Sequence, residues 1–452
     1  MQRSTPQRPT SSLDNCSEPK TCDRAWAQEV FTQIRDTSLE IAAPLSLEDQ
    51  IIQSMADVSP TKWHLGHVSW AFETFLLEPL MRAGGGEYAP FDPTFGYIFN
   101  SYYEAVGPRH ERPKRGLLSR PPHEEVMAYR RYVDDCVLKA IDNASEEVWK
   151  RHAWAFDLAL NHEQQHQELM LTDIKHVFSC NPLHPAYAPF RPHGIDHVGE
   201  MGWLSHDGGL VEIGHQGEEF AYDNEGPRHQ VWLEPFAVAD RLVTNGEYLE
   251  FIKDGGYERF EFWLSDGFAT VRAQGWKAPL YWQQATQNAP KDDASWQMMT
   301  LAGLQPLDAA EPVCHVSFYE ADAYARWAGK RLPREAEWEI AAAKVPCQGN
   351  FADSRHFRPL PATGPLSRQE PNSAQFFGDV WEWTSSPYTP YPGFQPAQGP
   401  AGEYNGKFMC NQMVLKGGSC VTPSEHVRAS YRNFFYPRDR WQFSGIRLAT
   451  DC

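Results

Sequence analysis

The apolar positions of this chain change their period at about residue 200. From about Asp23 to Cys180 they recur at helical spacing. In "RAWAQEVFTQIRDTSLEIAAPL", Ala27, Val30, Phe31 and Ile34 trace one face of an amphipathic helix. "SPTKWHLGHVSWAFETFLLEPLMRA" predicts a second helix, with Ser59 as N-cap and Pro60 in its first position, stopped by the run Gly84–Gly86. Two more helices are predicted over Pro122–Asn143 and Ser145–Phe178. Between the second and third lies "GGGEYAPFDPTFGYIFNSYYEAVGPRHERPKRGLLSRPP". Connections this long are functional or disordered, and the six aromatics of "FDPTFGYIFNSYY" argue for order. Four helices with one elaborate crossover predict a four-helix bundle, a scaffold that builds metal sites from facing side chains.

Residues 181–200 hold four prolines and read as an ordered linker. From Met201 the texture is one of short β-like runs, many glycines and tryptophans, and turn signals such as "HDGG" and "SDG". One helix is predicted to interrupt it, over residues 317–343. The first 22 residues, rich in Ser, Thr, Pro, Gln and Arg, predict a disordered tail. The expected fold class is α+β: a tail over 1–22, a bundle over 23–180, the linker, and a mixed, loop-rich α/β domain over 201–452.

Hydrophobic content of 41% and aromatic content of 13% supply two packed cores. A formal charge of −18 argues against nucleic acid as partner, because phosphate binding needs a basic surface. No apolar run reaches the roughly 18 residues of a membrane helix, and the first residues lack the apolar core of a secretory signal. Nine cysteines, an odd count without CxxC, predict reduced thiols in the cytoplasm.

The chemistry begins at "NHEQQHQELM". Read from His162 it is HExxH, the spelling of many zinc peptidases. His162 and His166 are four apart on a predicted helix, so both imidazoles share one face. The peptidase reading lacks its other parts. Leu169 and Thr172 stand where a metzincin has Gly and His, and no glutamate follows between Leu169 and Gly199 to complete a His2Glu set. A third ligand is available from "SPTKWHLGHVSW", which offers His64 and His67; spacing alone leaves both open. Three imidazoles suit zinc, copper, iron and nickel alike.

Taken in order, "SPTKWHLGH", "FNSYYEAVG", "HEQQHQELMLTDIKH", "VTNGEYLEFI", "PVCHVSFYEADAYARWAGKRLPREAEWEIAA", "GDVWEWTSSPYTPYPGF", "KGGSC" and "YRNFFYP…FSGIRLA" resemble the sulfoxide synthases of ergothioneine biosynthesis. That family joins a DinB-like four-helix bundle to a domain similar to the formylglycine-generating enzyme, and the resemblance spans nearly the whole chain after the tail. It implies a non-haem Fe(II) held by His67, His162 and His166. The implied reaction joins a cysteine thiol to C2 of hercynine, Nα-trimethylhistidine, with O2, giving a sulfoxide.

By position the resemblance makes Gln165 a partner of the substrate imidazole. It puts Asn433 and Phe434 at the trimethylammonium group, with Tyr404 expected as a neighbour, and Arg109 and Arg112 at the carboxylate of the thiol substrate. A branch that takes γ-glutamylcysteine carries Trp-Asp where this chain has Phe434 and Phe435, and a tyrosine where it has Ala401. The resemblance therefore implies L-cysteine as donor and Tyr102 or Tyr103 as proton donor. No cysteine lies between Val421 and Asp451, so the second domain is expected to wall the iron pocket rather than to act as a formylglycine generator. Ovothiol-type coupling to histidine, a zinc thiol transferase and a non-catalytic binding protein are the competing classes.

Overall fold

Asp23 starts the first helix: its carboxylate accepts from the backbone N–H groups of Ala25 and Trp26, at 2.9 and 3.3 Å. A computed structural model describes residues 23–195, 197–285, 296–363 and 375–452. The tail over 1–22 lies outside the described residues. Helix α1 (Arg24–Ala42) is followed by α2 (Thr61–Ala71), which runs through a π-helical turn at Phe72–Leu77 into α3 (Glu78–Ala83). The long crossover carries a short α4 (Phe95–Phe99) and a 3-10 turn at Arg112–Leu117. Then come α5 (His123–Asn143) and the 34-residue α6 (Glu146–Ser179), capped by the Ser145 hydroxyl.

These helices pack as a four-helix bundle around Phe31, Phe72, Trp149 and Phe156; Phe31 meets Phe72 edge-on at 5.2 Å. One local expectation is corrected. Pro60, not Ser59, occupies the N-cap position of α2 and gives no side-chain cap. The Ser59 hydroxyl instead accepts from Arg115, and its N–H donates to Asp173.

The second domain has strands β1 (Trp203–His206), β2 (Gly209–Ile213), β3 (His229–Leu233) and β4 (Phe236–Ala239), then helices α7 (Asn245–Lys253) and α8 (Ser265–Gln274). Strands β5 (Trp282–Gln284), β6 (Trp296–Thr300) and β7 (Gly303–Pro306) form a small antiparallel sheet. Helices α9 (Phe318–Trp327) and α10 (Glu335–Ala342) precede β8 (Trp381–Pro387), α11 (Glu403–Lys407), β9 (Met413–Lys416), β10 (Asn433–Phe435), β11 (Ser444–Gly445) and β12 (Ala449–Asp451).

The sheet that matters for the site has the order β10-β9-β8-β11, with only the β11–β8 pair parallel. The single helix expected over 317–343 is two. Gly329 adopts a left-handed conformation (φ 67°) after α9, and Pro333 lies in the turn before α10, so the helical hydrogen bonding cannot continue.

The two domains share an apolar core: Leu242, Met299, Cys314, Val380 and Phe443 pack in the same cluster as the bundle residues. Polar contacts pin α6 against the second domain. Trp381 Nε1 donates to Glu168 at 2.6 Å, and Lys175 Nζ lies 2.7 Å from His315 Nε2. Among the described residues no helix is long and apolar enough to cross a membrane.

Candidate metal centre and substrate cavity

The i, i+4 pair of α6 faces α2, and the donor nitrogens of His67, His162 and His166 all lie within 4.8 Å of one another. Burial is the first cause that pushes all three imidazoles below their usual range. It takes His162 down to about 4, with Glu163 opposing and His64 adding, and holds His67 and His166 well below the ordinary value. At neutral pH the three rings are therefore uncharged and present lone pairs. Three neutral imidazoles converging on one point, two of them buried and His162 partly so, form a donor set that fits a divalent transition metal.

His67 is oriented by the backbone. Its Nδ1–H donates to Phe99 O at 2.6 Å, which leaves Nε2 free. That bond depends on a close approach at Gly66, where a Cβ would sit 2.2 Å from the Phe99 ring. Gly66→Ala is expected to displace Phe99, lower the stability by about 1–3 kcal/mol in the manner of an overpacked core, and weaken metal binding. Thermal denaturation and a metal titration check both effects.

His64, the other candidate from "WHLGH", is turned elsewhere. Its Nδ1 lies 2.7 Å from His166 Nδ1, and its Nε2 lies 3.0 Å from Asp173 Oδ2.

The glutamate of HExxH points away from the three histidines' meeting point. Glu163 is fully buried and accepts from Arg35 at 2.9 Å, Arg130 at 2.6 Å and Ser38 at 2.6 Å. Burial opposes its ionisation, but Arg130 and Arg35 outweigh burial and hold the carboxyl down at about 2. A carboxylate neutralised by two guanidinium groups has no proton affinity to offer as a general base. The peptidase spelling thus encodes a bundle ion pair.

The histidines open into a cavity of about 210 Å³ lined by both domains. Tyr102, Tyr103, Arg112, Gln165, Tyr404, Asn433, Phe434 and Phe435 all line it, and Ala401 does too. Arg109 is not among the lining residues; its guanidinium pairs with Glu104 at 2.7 Å and donates to Ser101 O at 3.1 Å.

The crossover carrying the two tyrosines is clipped to α11. Glu403 accepts from the N–H groups of Glu104 and Ala105, both at 3.0 Å, and Lys407 donates to Tyr102 O. Tyr404, between those two anchors, meets the rings of Tyr102 and Tyr103 at 5.7 and 6.2 Å. Burial raises the Tyr103 phenol above its usual value, so it is a neutral hydrogen-bond donor at neutral pH. Arg112 donates to the Tyr102 hydroxyl. Gln165 Nε2 lies 3.4 Å from the Tyr431 hydroxyl. Phe434 is a fixed wall, stacked on Tyr388 at 4.0 Å and beside Phe408 at 5.9 Å.

Sequence reasoning passed over several lining groups. Arg115 lies flat over Trp63 at 3.4 Å and donates to Ser59 and Ser101 hydroxyls; burial first, then Arg112, pushes it down to about 9. Asp439 is raised to about 7, by burial first and by Asp57. Gln442 is 3% exposed, and neither end of its carboxamide has a partner. Arg115 belongs to the basic stretch "PRHERPKR", and Asp439 and Gln442 to the run after "NFFYP". The face that each of these side chains takes is decided by packing.

Residues 199–452 match the family described as Sulfatase-modifying factor enzyme 1-like domain, and residues 31–170 match the DinB superfamily. The chain is 31% identical over 450 residues to the hercynine oxygenase of Mycolicibacterium thermoresistibile, covering 94% of this chain and 95% of that one. It is 32% identical over 416 residues to the hercynine oxygenase of Mycolicibacterium smegmatis, with 87% and 91% covered. A formylglycine-generating enzyme of Streptomyces coelicolor is 32% identical over 277 residues, 52% of this chain and 84% of that one. Similarity at this level over nearly the full length, on a DinB-like bundle joined to a domain like the formylglycine-generating enzyme, places the chain in the hercynine oxygenase family.

Proposed function

We propose that this chain is an O2-dependent oxidoreductase of ergothioneine biosynthesis that uses Fe(II) to join L-cysteine to C2 of hercynine as a sulfoxide. The observation that carries this reading is the converging trio of His67, His162 and His166, opening into a cavity lined by aromatic rings and guanidinium groups. The name hercynine oxygenase, borne by relatives that match 94% and 87% of this chain, supports both the substrate and the use of oxygen.

A ferrous ion held by the three histidines would supply one-electron redox access to O2 and leave coordination positions for substrates; zinc, which has no redox chemistry, would not. The reaction balances without a further reductant. The S–H and imidazole C2–H bonds break, C–S and S–O bonds form, and the second oxygen atom leaves as water.

The chain's own residues bind and orient. Gln165, beside His166 and half-buried, suits a hydrogen bond to the substrate imidazole. The faces of Phe434 and Tyr404, with Asn433 and Phe435 beside them, suit a trimethylammonium cation that offers no donor of its own. Arg112 suits the cysteine carboxylate through its planar fork, and Arg109 braces the preceding loop through Ser101. Because Arg112 also donates to Tyr102, carboxylate binding is coupled to the placement of that phenol.

Arg112→Ala is expected to raise the KM for cysteine about tenfold or more, the scale of a lost hydrogen bond to a charged group. An unchanged KM assigns the carboxylate elsewhere. Tyr102 or Tyr103 supplies the proton at the reacting centre. The double change Tyr102→Phe, Tyr103→Phe is expected to shift products from sulfoxide towards simple thiol oxidation, and an unaltered ratio removes both from that role.

The choice of donor has its own test. Phe435 offers no acid to pair with the distal ammonium of γ-glutamylcysteine, so kcat/KM should favour cysteine by about tenfold or more. Rates with each thiol, followed by mass spectrometry of the adducts, decide it; a preference for γ-glutamylcysteine overturns the donor assignment and keeps the reaction.

A further inference from the structure

We propose that His64 is a positioning residue for the metal centre: backed by Asp173, it accepts the Nδ1 proton of His166 and so leaves His166 Nε2 as the metal-facing lone pair. The inference rests on the reading of His67, His162 and His166 as metal ligands, and it concerns a histidine which that reading leaves idle.

The proton bookkeeping follows from three distances. Two imidazole nitrogens 2.7 Å apart share a single proton, so either His64 Nδ1 or His166 Nδ1 carries it. Asp173 breaks the tie. Its Oδ2 lies 3.0 Å from His64 Nε2 and can only accept, so the His64 proton sits on Nε2. A neutral ring with Nε2–H has a bare Nδ1, and the shared proton then belongs to His166. Asp173 is itself fixed, because the Ser59 N–H donates to the same oxygen at 2.8 Å. All four groups are buried: His64 is 2% exposed, His166 7%, Asp173 5% and Ser59 4%, so their mutual contacts are held by packing.

The three ligands are thus supported unequally. His67 has its tautomer set by a backbone carbonyl, Phe99 O at 2.6 Å. His166 has a side-chain chain of two groups ending in a carboxylate. His162 Nδ1 is buried without a partner. A ligand whose second nitrogen donates towards a carboxylate is the more basic one and keeps its ring plane. The relay also ties the metal site to the start of α2 and to the cavity, because Asp173 and His64 both line it.

The test compares full-length variants in anaerobic Fe(II) and Co(II) titrations against a chromogenic chelator, with the visible Co(II) spectrum and nitrogen-15 ring signals of the metal-free protein as further readouts. His64→Phe keeps the ring volume and removes the acceptor. It should weaken both metals about 10–100-fold, the range for losing a group that supports a ligand, and change the Co(II) bands. His64→Gln can still accept through its carbonyl oxygen and should recover most of the affinity. The wild-type protein should show His166 as the Nδ1–H tautomer. If His64→Phe does not fold, Asp173→Asn carries the test, with a several-fold loss expected while His64 is still present. The proposal is overturned by wild-type affinity in His64→Phe, by equal losses in His64→Phe and His64→Gln, by wild-type affinity in Asp173→Asn, or by an Nε2–H signal for His166. Failure of the wild-type chain to bind either metal overturns the ligand reading itself, which separates the two.

Discussion

His166→Ala is expected to leave the chain without its metal and without turnover. Loss of a residue that only supports a ligand costs about 10–100-fold in metal affinity, and removing one of three ligands exceeds that. His166 is central to the cluster: its ring lies 4.6 Å from those of both His67 and His162. The measurement is iron content after desalting, with O2 consumption in the presence of hercynine and cysteine. The truncated side chain leaves a space inside the bundle, so circular dichroism and thermal denaturation must accompany it. A folded His166→Ala protein that keeps wild-type iron and turnover would remove this histidine from the centre and leave the cavity to a different chemistry.

Glu163→Gln should act on stability first. The carboxylate neutralises Arg35 and Arg130, and all three side chains are almost wholly buried. Taking one partner from a buried ion pair costs about 3–5 kcal/mol, because the remaining charge has no solvent to turn to. Asp134, bonded to Arg35 at 2.6 Å, offsets part of this for one arginine only. Denaturant unfolding of the variant measures the loss. The same experiment decides what HExxH means here. A general base would lose activity on this substitution with its stability intact; a structural ion pair loses stability, and the folded fraction keeps its metal.

The bundle was readable because α1 and α5 bury one stripe each, although α2 is buried on every side. The limits expected for α5 and α6 fall within a residue or so of the observed His123–Asn143 and Glu146–Ser179. The long apolar pattern over 317–343 misled because periodicity does not register a left-handed glycine; Gly329 and Pro333 cut it.

The choice between His64 and His67 could not be read locally. They stand three apart on one helix, with equal claims by spacing. What separates them is tertiary: Gly66 admits Phe99, whose carbonyl turns His67, while Asp173, more than a hundred residues away in sequence, draws His64 aside. Arg109 and Arg112 show the same limit. Three residues apart in one basic loop, one pairs with Glu104 outside the cavity lining and the other reaches Tyr102 within it. Spacing finds which residues can act together, and packing decides which of them do.

The most direct measurement loads the chain with Fe(II) without oxygen, adds hercynine and cysteine, admits O2 and reads the products by mass spectrometry. The account expects the hercynine–cysteine sulfoxide, formed only when both iron and O2 are present. Absence of any coupled product from a folded, iron-loaded chain, or tight retention of zinc in place of iron, would contradict it.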